Sequence, residues 1–451
     1  MGGCRYKSHC SSSVLLQKQK AEPLCLKCQQ GFPFLCSTVD MYIVESKGGA
    51  IALILVATLC GGSFGPAMLF MERKGRRPQH IYLDYSIANF FVAVLIAVTV
   101  GQIGESQPGM PNFFTQLGQF QDNWPSVLIA MAGGLALSLG NMICQYGWAF
   151  VGLSLANIIG CSMSVVLGTT VNYFLDGRIN RAEILFPGVA CFMVAIVLSA
   201  AVHSSNTKDK KEKLNIRGHF STKGANTEIE ISRNIDAEEA PRNTGDCDDH
   251  NGSNHAKPGT AEFLAEVEKR RSIKAAGSST FTGLVIVLFS GFCFFIYSPA
   301  LNLSANDQWH SLKKGVPHLV VYTAFFYFYL SGFLIAICVN IWLLYRPVAG
   351  VPSSTIGEYF RDWNGRHWGL LSGLLCGFAN GFQFMGGQAA GFATADAVLA
   401  SPLICTLWDI VLFGEYRRSS KKTYFLLGSM LCMFVIAIAV LLASAGHRKT
   451  A

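Results

Sequence analysis

The sequence predicts an all-α membrane protein: ten transmembrane helices arranged as a 5+5 inverted-topology repeat. Three observations carry that expectation. Of 451 residues, 51% are hydrophobic and only 14% charged, and the mean hydropathy is +0.35; soluble domains run to about 25% charged residues. Ten blocks reach the ~20 mostly apolar residues that a bilayer demands, at roughly 48–71, 82–101, 126–146, 150–175, 184–203, 281–302, 318–345, 368–388, 394–414 and 423–445. Lastly, the two halves of the chain register on each other when one is displaced by 239 residues.

Residues 1–47 are expected to form an extracellular N-terminal segment. The first forty are polar, rich in Cys and Lys, and end just before Met41, itself able to serve as an initiator. Cys25 and Cys28 make a lone CxxC with no second pair at zinc-site spacing, so no metal is expected. Others of the 15 cysteines, such as Cys60, Cys191, Cys293 and Cys432, lie in apolar blocks, where Cys acts as a small hydrophobe. Residues 48–203 hold the first five blocks. Residues 204–279 break the pattern: thirteen Lys/Arg, thirteen Asp/Glu and runs such as GDCDDHNGSNHAKPG leave too little apolar surface for a core. This loop is expected to be cytosolic and mostly disordered. Only 260–273, where Phe263, Leu264 and Val267 recur at helical spacing, reads as a short surface helix. The second five blocks fill 280–446, and 447–451 is a tail.

The net charge of +8 does not imply a nucleic-acid partner, because the basic residues lie between apolar blocks and act as topology determinants. With the amino terminus outside, the cytosolic side collects Arg73, Lys74, Arg76, Arg77, Arg346, Arg361, Arg366, Arg417, Arg418, Lys421, Lys422 and both ends of the long loop. The outer loops keep only Arg178, Arg181, Lys313 and Lys314.

At the offset of 239, Gly134 falls on Gly373, Asn141 on Asn380, Gly147 on Gly386, Gly152 on Gly391, Ser162 on Ser401 and Arg178 on Arg417, among ten identities in 53 positions. Asn157 falls on Asp396. Five spans per half is an odd number, so the second half must enter the membrane from the opposite side. Secondary transporters built this way hold their site near the midplane, between the halves. Pro66 and Pro299 sit alike in the first and sixth blocks and are expected to break their helices there, or to kink them.

The chemistry concentrates in GLLCGFANGFQFMGGQAAGFATADAV, 373–398. Gly373, Gly377 and Gly381 recur every four residues and leave one helix face bare for a close neighbour. Asn380, Gln383, Gln388 and Asp396 are polar groups at membrane depth, which mark a functional site by default. In the third block Asn141, Gln145 and Trp148 fall on one stripe at i, i+4 and i+7, and Phe384 stands beside Gln383 in the eighth. Two carboxamide stripes flanked by aromatics suit a flat, neutral, amide-rich solute, and the absence of Arg and Lys makes them poor for phosphate or carboxylate. Asp396 has three readings: a carboxyl that takes up and releases a proton, a charged acceptor for substrate, or a helix cap. Asp84 reads as an interfacial acid and YTAFFYFY, 322–329, as a lipid- or interface-facing belt. No nucleophile–base pair is evident, so an enzyme is not expected. A phosphate-loop candidate at Ser272, Gly277, Ser278 and Ser279 lacks the essential Lys, so neither ATP nor any other cofactor is expected.

The chain from Met41 to Lys449 closely resembles the plant ureide permeases. MYIVESKGGAIA, YLDYSIANFF, MAGGLALSLGN, NYFLDGRINRAEILFPGVACF, NDQWHSLKKGVPHL, GFQFMGGQAAGFATADAV and LFGEYRRSSKKTY carry the likeness. The resemblance implies a ten-span plasma-membrane carrier of the drug/metabolite-transporter type, driven by protons, for allantoin and related oxo-heterocycles such as uracil and xanthine. It also implies a Walker A-like loop of pattern Ala-x4-Gly-Lys-Ser/Thr, but this chain has Ser272 in place of Ala and Ser278 in place of Lys. On this reading Asn141, Gln145, Asn380, Gln383 and Gln388 contact the substrate, Trp148 and Phe384 cover its ring, and Asp396 couples the proton. An exporter of the same fold, or a nucleotide-binding membrane protein, are the alternatives.

Overall fold

The computed structural model describes residues 43–106, 109–235, 273, 280–417 and 419–446. Among them every regular element is helical. α1 (Lys47–Arg73) starts where the Ser46 hydroxyl accepts the Gly49 N–H at 3.0 Å, which satisfies one orphan donor of the first turn. α2 (Pro78–Val98) opens on a proline, whose missing N–H has no partner to lose at that position. α3 (Phe120–Val151) ends at Gly152, and α4 (Leu153–Met163), a π-turn (Ser164–Gly168) and α5 (Thr169–Leu175) follow. Next come α6 (Ala182–Ile235), α7 (Thr280–Asn306), α8 (Val321–Tyr345) and the short α9 (Ile356–Arg361). α10 (Arg366–Ala390) ends at Gly391, and α11 (Phe392–Ala395), a 3₁₀ turn (Asp396–Ala400), α12 (Pro402–Leu412) and α13 (Lys421–Ala443) complete the order. Gly152 and Gly391 hold φ at +90° and +95°, a corner that favours glycine. At Gly391 a Cβ would also lie 2.5 Å from Asn180 Oδ1.

Nine of these helical stretches, rather than the expected ten, are long and apolar enough to cross a membrane among the described residues. The difference is α10. It has the length, 25 residues, but its glycines and carboxamides hold its hydropathy down. A second difference lies at the boundary set at 203: α6 runs on to Ile235, because Lys- and Glu-rich residues are good helix formers and no proline intervenes. Residues 236–272 and 274–279 lie outside the described residues, as do 1–42 and the CxxC. Ile273 is buried against Tyr146, Ala149 and Val351, and its N–H donates to Glu72 Oε1 at 3.0 Å. Large apolar side chains, including Phe91, Leu128, Val197, Phe289, Val411 and Phe425, are exposed around the bundle, as a lipid-facing surface requires.

Packing is reciprocal between the two halves. α1 lies against α10 as α7 lies against α3; α2 meets α10 as α8 meets α3; α1 touches α12 as α7 touches α4. Two of these contacts are glycine seams. A Cβ on Gly373 would overlap the Tyr85 carbonyl oxygen of α2 and sit 2.8 Å from Ala88 Cβ, and one on Gly377 would sit 2.7 Å from Val92 Cβ. Gly381 continues the seam, 2.6 Å from Ile96 Cδ1 on the same measure. In the other half a Cβ on Gly134 would overlap the Phe328 carbonyl oxygen of α8. Lipid offers no hydrophobic drive for helix association, so backbone approach of this kind supplies the van der Waals contact that holds such a bundle.

Neither proline ends its helix: Pro66 lies inside α1 and Pro299 inside α7. The breaks fall instead at Gly152, Gly391, the π-turn and the 3₁₀ turn. A proline leaves the carbonyl four residues back without its helical donor. Behind Pro66 that carbonyl, Gly62 O, accepts from Cys405 Sγ at 3.2 Å. YTAFFYFY is not a lipid-facing belt either: Tyr322, Phe325, Tyr327, Phe328 and Tyr329 are all buried between α8 and its neighbours.

One end of the bundle is closed by charge. Asp84, expected at the interface, is 1% exposed and accepts from Arg76 Nη2 at 2.6 Å and from the Tyr359 hydroxyl at 2.8 Å, with Arg366 Nε 3.2 Å away. Arg76 also pairs with Asp362 at 3.2 Å, and His80 Nδ1 lies 2.7 Å from Asp362 Oδ2. Glu358 of α9 accepts from Arg77 at 3.0 Å and from Ser354 at 2.9 Å. The loop between α8 and α10 is thereby tied to the start of α2. Burial pushes the Asp362 carboxyl up, but the His80 hydrogen bond and the Arg76 guanidinium outweigh it and hold the group below the usual carboxylate range.

Candidate functional site

Between α1, α3, α4, α7, α10 and α12 lies a cavity with about 740 Å³ of atom-free space including its mouth. Both halves of the chain line it. Its polar side chains include three carboxamides, Asn141 on α3, Asn157 on α4 and Asn380 on α10, joined by Trp148, Tyr297, Ser164 and Ser401. Phe64, Leu137, Phe294 and Val398 supply apolar wall, and no charged side chain lines it. Few polar groups placed in an apolar cleft are what a small-molecule site needs.

Each pair of elements places its amide in the same way. Asn141 Nδ2 donates to the Tyr85 hydroxyl at 3.0 Å, and Asn380 Nδ2 donates to the Tyr329 hydroxyl at 2.6 Å. Tyr85 donates in turn to Cys376 Sγ at 3.0 Å, on α10, so the two arrangements meet across the halves. The Ser164 hydroxyl, buried at the cavity, has no hydrogen-bond partner among the described residues, and the Trp148 indole lies beside the Cys144 thiol.

Behind the wall stands a second polar layer. Tyr297 faces the cavity, and its hydroxyl donates to Gln383 Oε1 at 3.1 Å. Gln383 Nε2 donates to Asp396 Oδ1 at 3.3 Å. Asp396, 1% exposed, also accepts from Ser298 Oγ at 2.9 Å on Oδ1, and from Asn172 Nδ2 at 2.9 Å and Thr169 Oγ1 at 3.3 Å on Oδ2. Four donors on one buried carboxylate satisfy its charge without a cation beside it. Asn172 is itself held by Asn302, whose amide donates to Asn172 Oδ1 at 3.1 Å. Asn302 is therefore buried, although it begins a glycosylation sequon.

Of the residues singled out in the sequence, Asn141, Trp148 and Asn380 meet at the cavity. Gln383 and Asp396 stand one layer behind it. Phe384 does not line it; its ring packs on Tyr297 at 6.0 Å and on Phe328 at 5.7 Å. Gln145 is buried in α3 away from the lining, and Gln388 donates to Asn306 Oδ1 at 3.2 Å, in another direction. Ser272, Gly277, Ser278 and Ser279 lie outside the described residues. Sequence reasoning missed Tyr85, Tyr297, Tyr329, Asn157, Asn172 and Ser298. Asn157 carried a signal, since it is the counterpart of Asp396 at the repeat offset. Among the described residues no group of three His, Cys, Asp or Glu is placed to hold a metal.

Comparison with known proteins gives one consistent result. The family model described as "Ureide permease" matches residues 81–444. The chain is 56% identical over 409 residues to ureide permease 1 of Arabidopsis thaliana, covering 91% of this chain and 100% of the relative. It is 56% identical over 414 residues to ureide permease 2 of the same plant, covering 91% and 100%. With probable ureide permease A3 of Vigna unguiculata it shares 51% over 387 residues, covering 85% and 100%. No solved structure matches the chain. A multi-pass bundle with an uncharged cavity between its halves and this length of shared sequence leaves one assignment: the chain belongs to the ureide permease family, carriers rather than enzymes.

Proposed function

We propose that the protein is a proton-coupled secondary transporter that imports ureides such as allantoin, and related oxo-heterocycles such as uracil and xanthine, across the plasma membrane. The observation that carries the reading is the cavity itself, lined from both halves by Asn141, Asn157 and Asn380 and free of charged side chains. Carboxamides pair with the N–H and C=O edges of a cyclic urea, and Trp148 offers a face to its ring. Asn141 and Asn380 would contact substrate directly, and Asp396 would carry the coupling proton. The family names agree, since the relatives are called ureide permeases.

The architecture proposed with it is a ten-span, 5+5 inverted repeat in which α10 counts as the eighth span. The reciprocal packing, the matched glycine corners at Gly152 and Gly391, and the matched Asn–Tyr pairs support it. The amino terminus would lie outside and the long loop in the cytosol, from the Lys/Arg bias.

The test is uptake of labelled allantoin in yeast lacking its own allantoin and uracil carriers, at pH 5 and pH 7.5, with and without a protonophore, for wild type and Asp396→Asn. Faster uptake at acid pH that collapses with protonophore and is lost in the variant is expected. A wild type that reaches the surface and takes up neither allantoin nor uracil sinks the reading and puts an exporter in its place.

A further inference from the structure

We propose that Tyr297 is the residue through which the proton on Asp396 is felt by the substrate, its hydroxyl changing from acceptor to donor at the cavity when Asp396 is protonated. This rests on the proton-coupled reading above. The argument starts from the count of donors. An ionised carboxylate only accepts, whereas a carboxylic acid must donate one hydrogen bond. In the structure Asp396 receives four donors, from Ser298, Gln383, Asn172 and Thr169. When a proton arrives from solvent, one of the four must turn round. The Ser298 and Thr169 hydroxyls can do so by rotation, but among the described residues it is the reversal at Gln383 that reaches the cavity, through Tyr297.

Asn172 is the least free to do so. Its Nδ2 also donates to Ser298 Oγ at 2.9 Å, and its Oδ1 accepts from Asn302. Gln383 is differently placed. Among the described residues its only other side-chain partner is Tyr297, a hydroxyl, and a hydroxyl both donates and accepts. A half-turn of the Gln383 amide keeps both of its bonds and reverses them. Asp396 Oδ1–H then donates to Gln383 Oε1, and Gln383 Nε2 donates to the Tyr297 oxygen. The Tyr297 proton is released from Gln383 and turns towards the cavity that its side chain lines. No covalent bond changes except the one to the added proton, and release of that proton runs the sequence backwards.

With Asp396 ionised, then, the hydroxyl donates to Gln383 and offers the cavity only lone pairs. With Asp396 protonated it offers an O–H, the partner that a ring carbonyl needs. The rings of Phe328 and Phe384, 6.5 and 6.0 Å from that of Tyr297, hold its side chain in place while the hydroxyl proton turns. The other ionisable groups facing this relay are Asp176 just after α5, Cys161 from α4, Tyr329 from α8 and Cys376 from α10.

The experiment measures KM for uracil uptake at pH 5 and pH 7.5 in the full chain, with surface amount quantified, for wild type, Tyr297→Phe, Gln383→Met and Thr169→Val. One hydrogen bond gained corresponds to a KM about fivefold lower at pH 5 in the wild type. Tyr297→Phe and Gln383→Met are each expected to show one KM at both pH values, near the wild-type value at pH 7.5, and the double variant no further change. Thr169→Val, which removes a donor on the other carboxylate oxygen, keeps the shift. An arm that needs no variant uses the wild type with 2-thiouracil and 4-thiouracil. A thiocarbonyl is a weak acceptor, so one of the two loses the shift. The proposal is overturned if Tyr297→Phe retains the wild-type shift, if both thio analogues retain it, or if Thr169→Val alone abolishes it. Wild-type uptake indifferent to pH and protonophore defeats the proton-coupled reading itself, which the other outcomes leave intact.

Discussion

Replacing Gly373 by Ala tests the claim that the bundle is held by backbone-to-backbone seams. The added methyl would overlap the Tyr85 carbonyl oxygen and sit 2.8 Å from Ala88 Cβ, where ordinary contact begins at 3.4 Å. The main obstacle is main chain, which cannot rotate aside as a side chain can. α2 must therefore back away by roughly 1 Å, and the contacts at Gly377 and Gly381 loosen with it. Overpacking of this kind costs about 1–3 kcal/mol, and a backbone obstacle places Gly373→Ala near the top. At about 2 °C per kcal/mol, melting of the detergent-purified protein should fall by about 5 °C. Gly428→Ala is the control. Nothing lies within 4 Å of its Cβ, so only helix propensity changes and melting should hold or rise. Melting of Gly373→Ala within 1 °C of wild type, or an equal fall in Gly428→Ala, would refute the reasoning.

Gly134→Ala should reproduce the loss at the α3–α8 seam, and because the seams are separate the double variant should lose about the sum, measured by the same melt. Asp84→Ala strips the shared partner from Arg76 and Arg366 at a site 1% exposed, and should destabilise by about 3 kcal/mol or more in thermal melts. Asn141→Ala and Asn380→Ala should each raise KM for allantoin about fivefold with surface amount unchanged, one hydrogen bond apiece. Asp362 sits below its ordinary range in the folded protein, so its share of stability is present above the ordinary carboxylate range and is lost as pH falls through the lowered value. The loop between α8 and α10 should therefore resist proteolysis at pH 7 and pH 5 alike, and become cleavable only below about pH 4.

Hydrophobic blocks and their lengths were legible in the sequence because a bilayer imposes them, and helical stretches lie where the blocks do. The glycine stripe at 373, 377 and 381 was legible for the same reason: a four-residue period needs no tertiary knowledge. The tyrosines were not. Tyr85, Tyr297 and Tyr329 sit among apolar residues with no period of their own, and only the fold shows which hydroxyl meets an amide. YTAFFYFY read as a belt because aromatic clusters favour the interface, while burial against α3 and α2 decided otherwise. The burial of Asp84, read as an interfacial acid, was not legible either, since its partners Tyr359 and Arg366 lie more than 270 residues along the chain. Gln388 and Phe384 failed as lining residues through depth rather than face: they share the Asn380 side of α10 but lie about 12 and 6 Å farther along its axis, while the cavity meets α10 at Cys376, Ala379 and Asn380.

The polarity of α10 has a consequence for how the protein is made. The translocon admits segments to the bilayer largely on hydropathy, and this one falls short while its neighbours do not. Its burdensome groups find partners only later or elsewhere in the chain: Asn380 on Tyr329, Gln383 on Tyr297 and Asp396. Two of those three precede it in synthesis. A nascent chain that has already placed α1, α2, α7 and α8 thus presents α10 with a prepared, partly polar berth, whereas α10 alone meets only lipid. On the proposed ten-span reading, insertion of this helix should depend on the rest of the bundle, and loss of the Tyr329 hydroxyl that receives Asn380 should lower the amount of protein reaching the membrane.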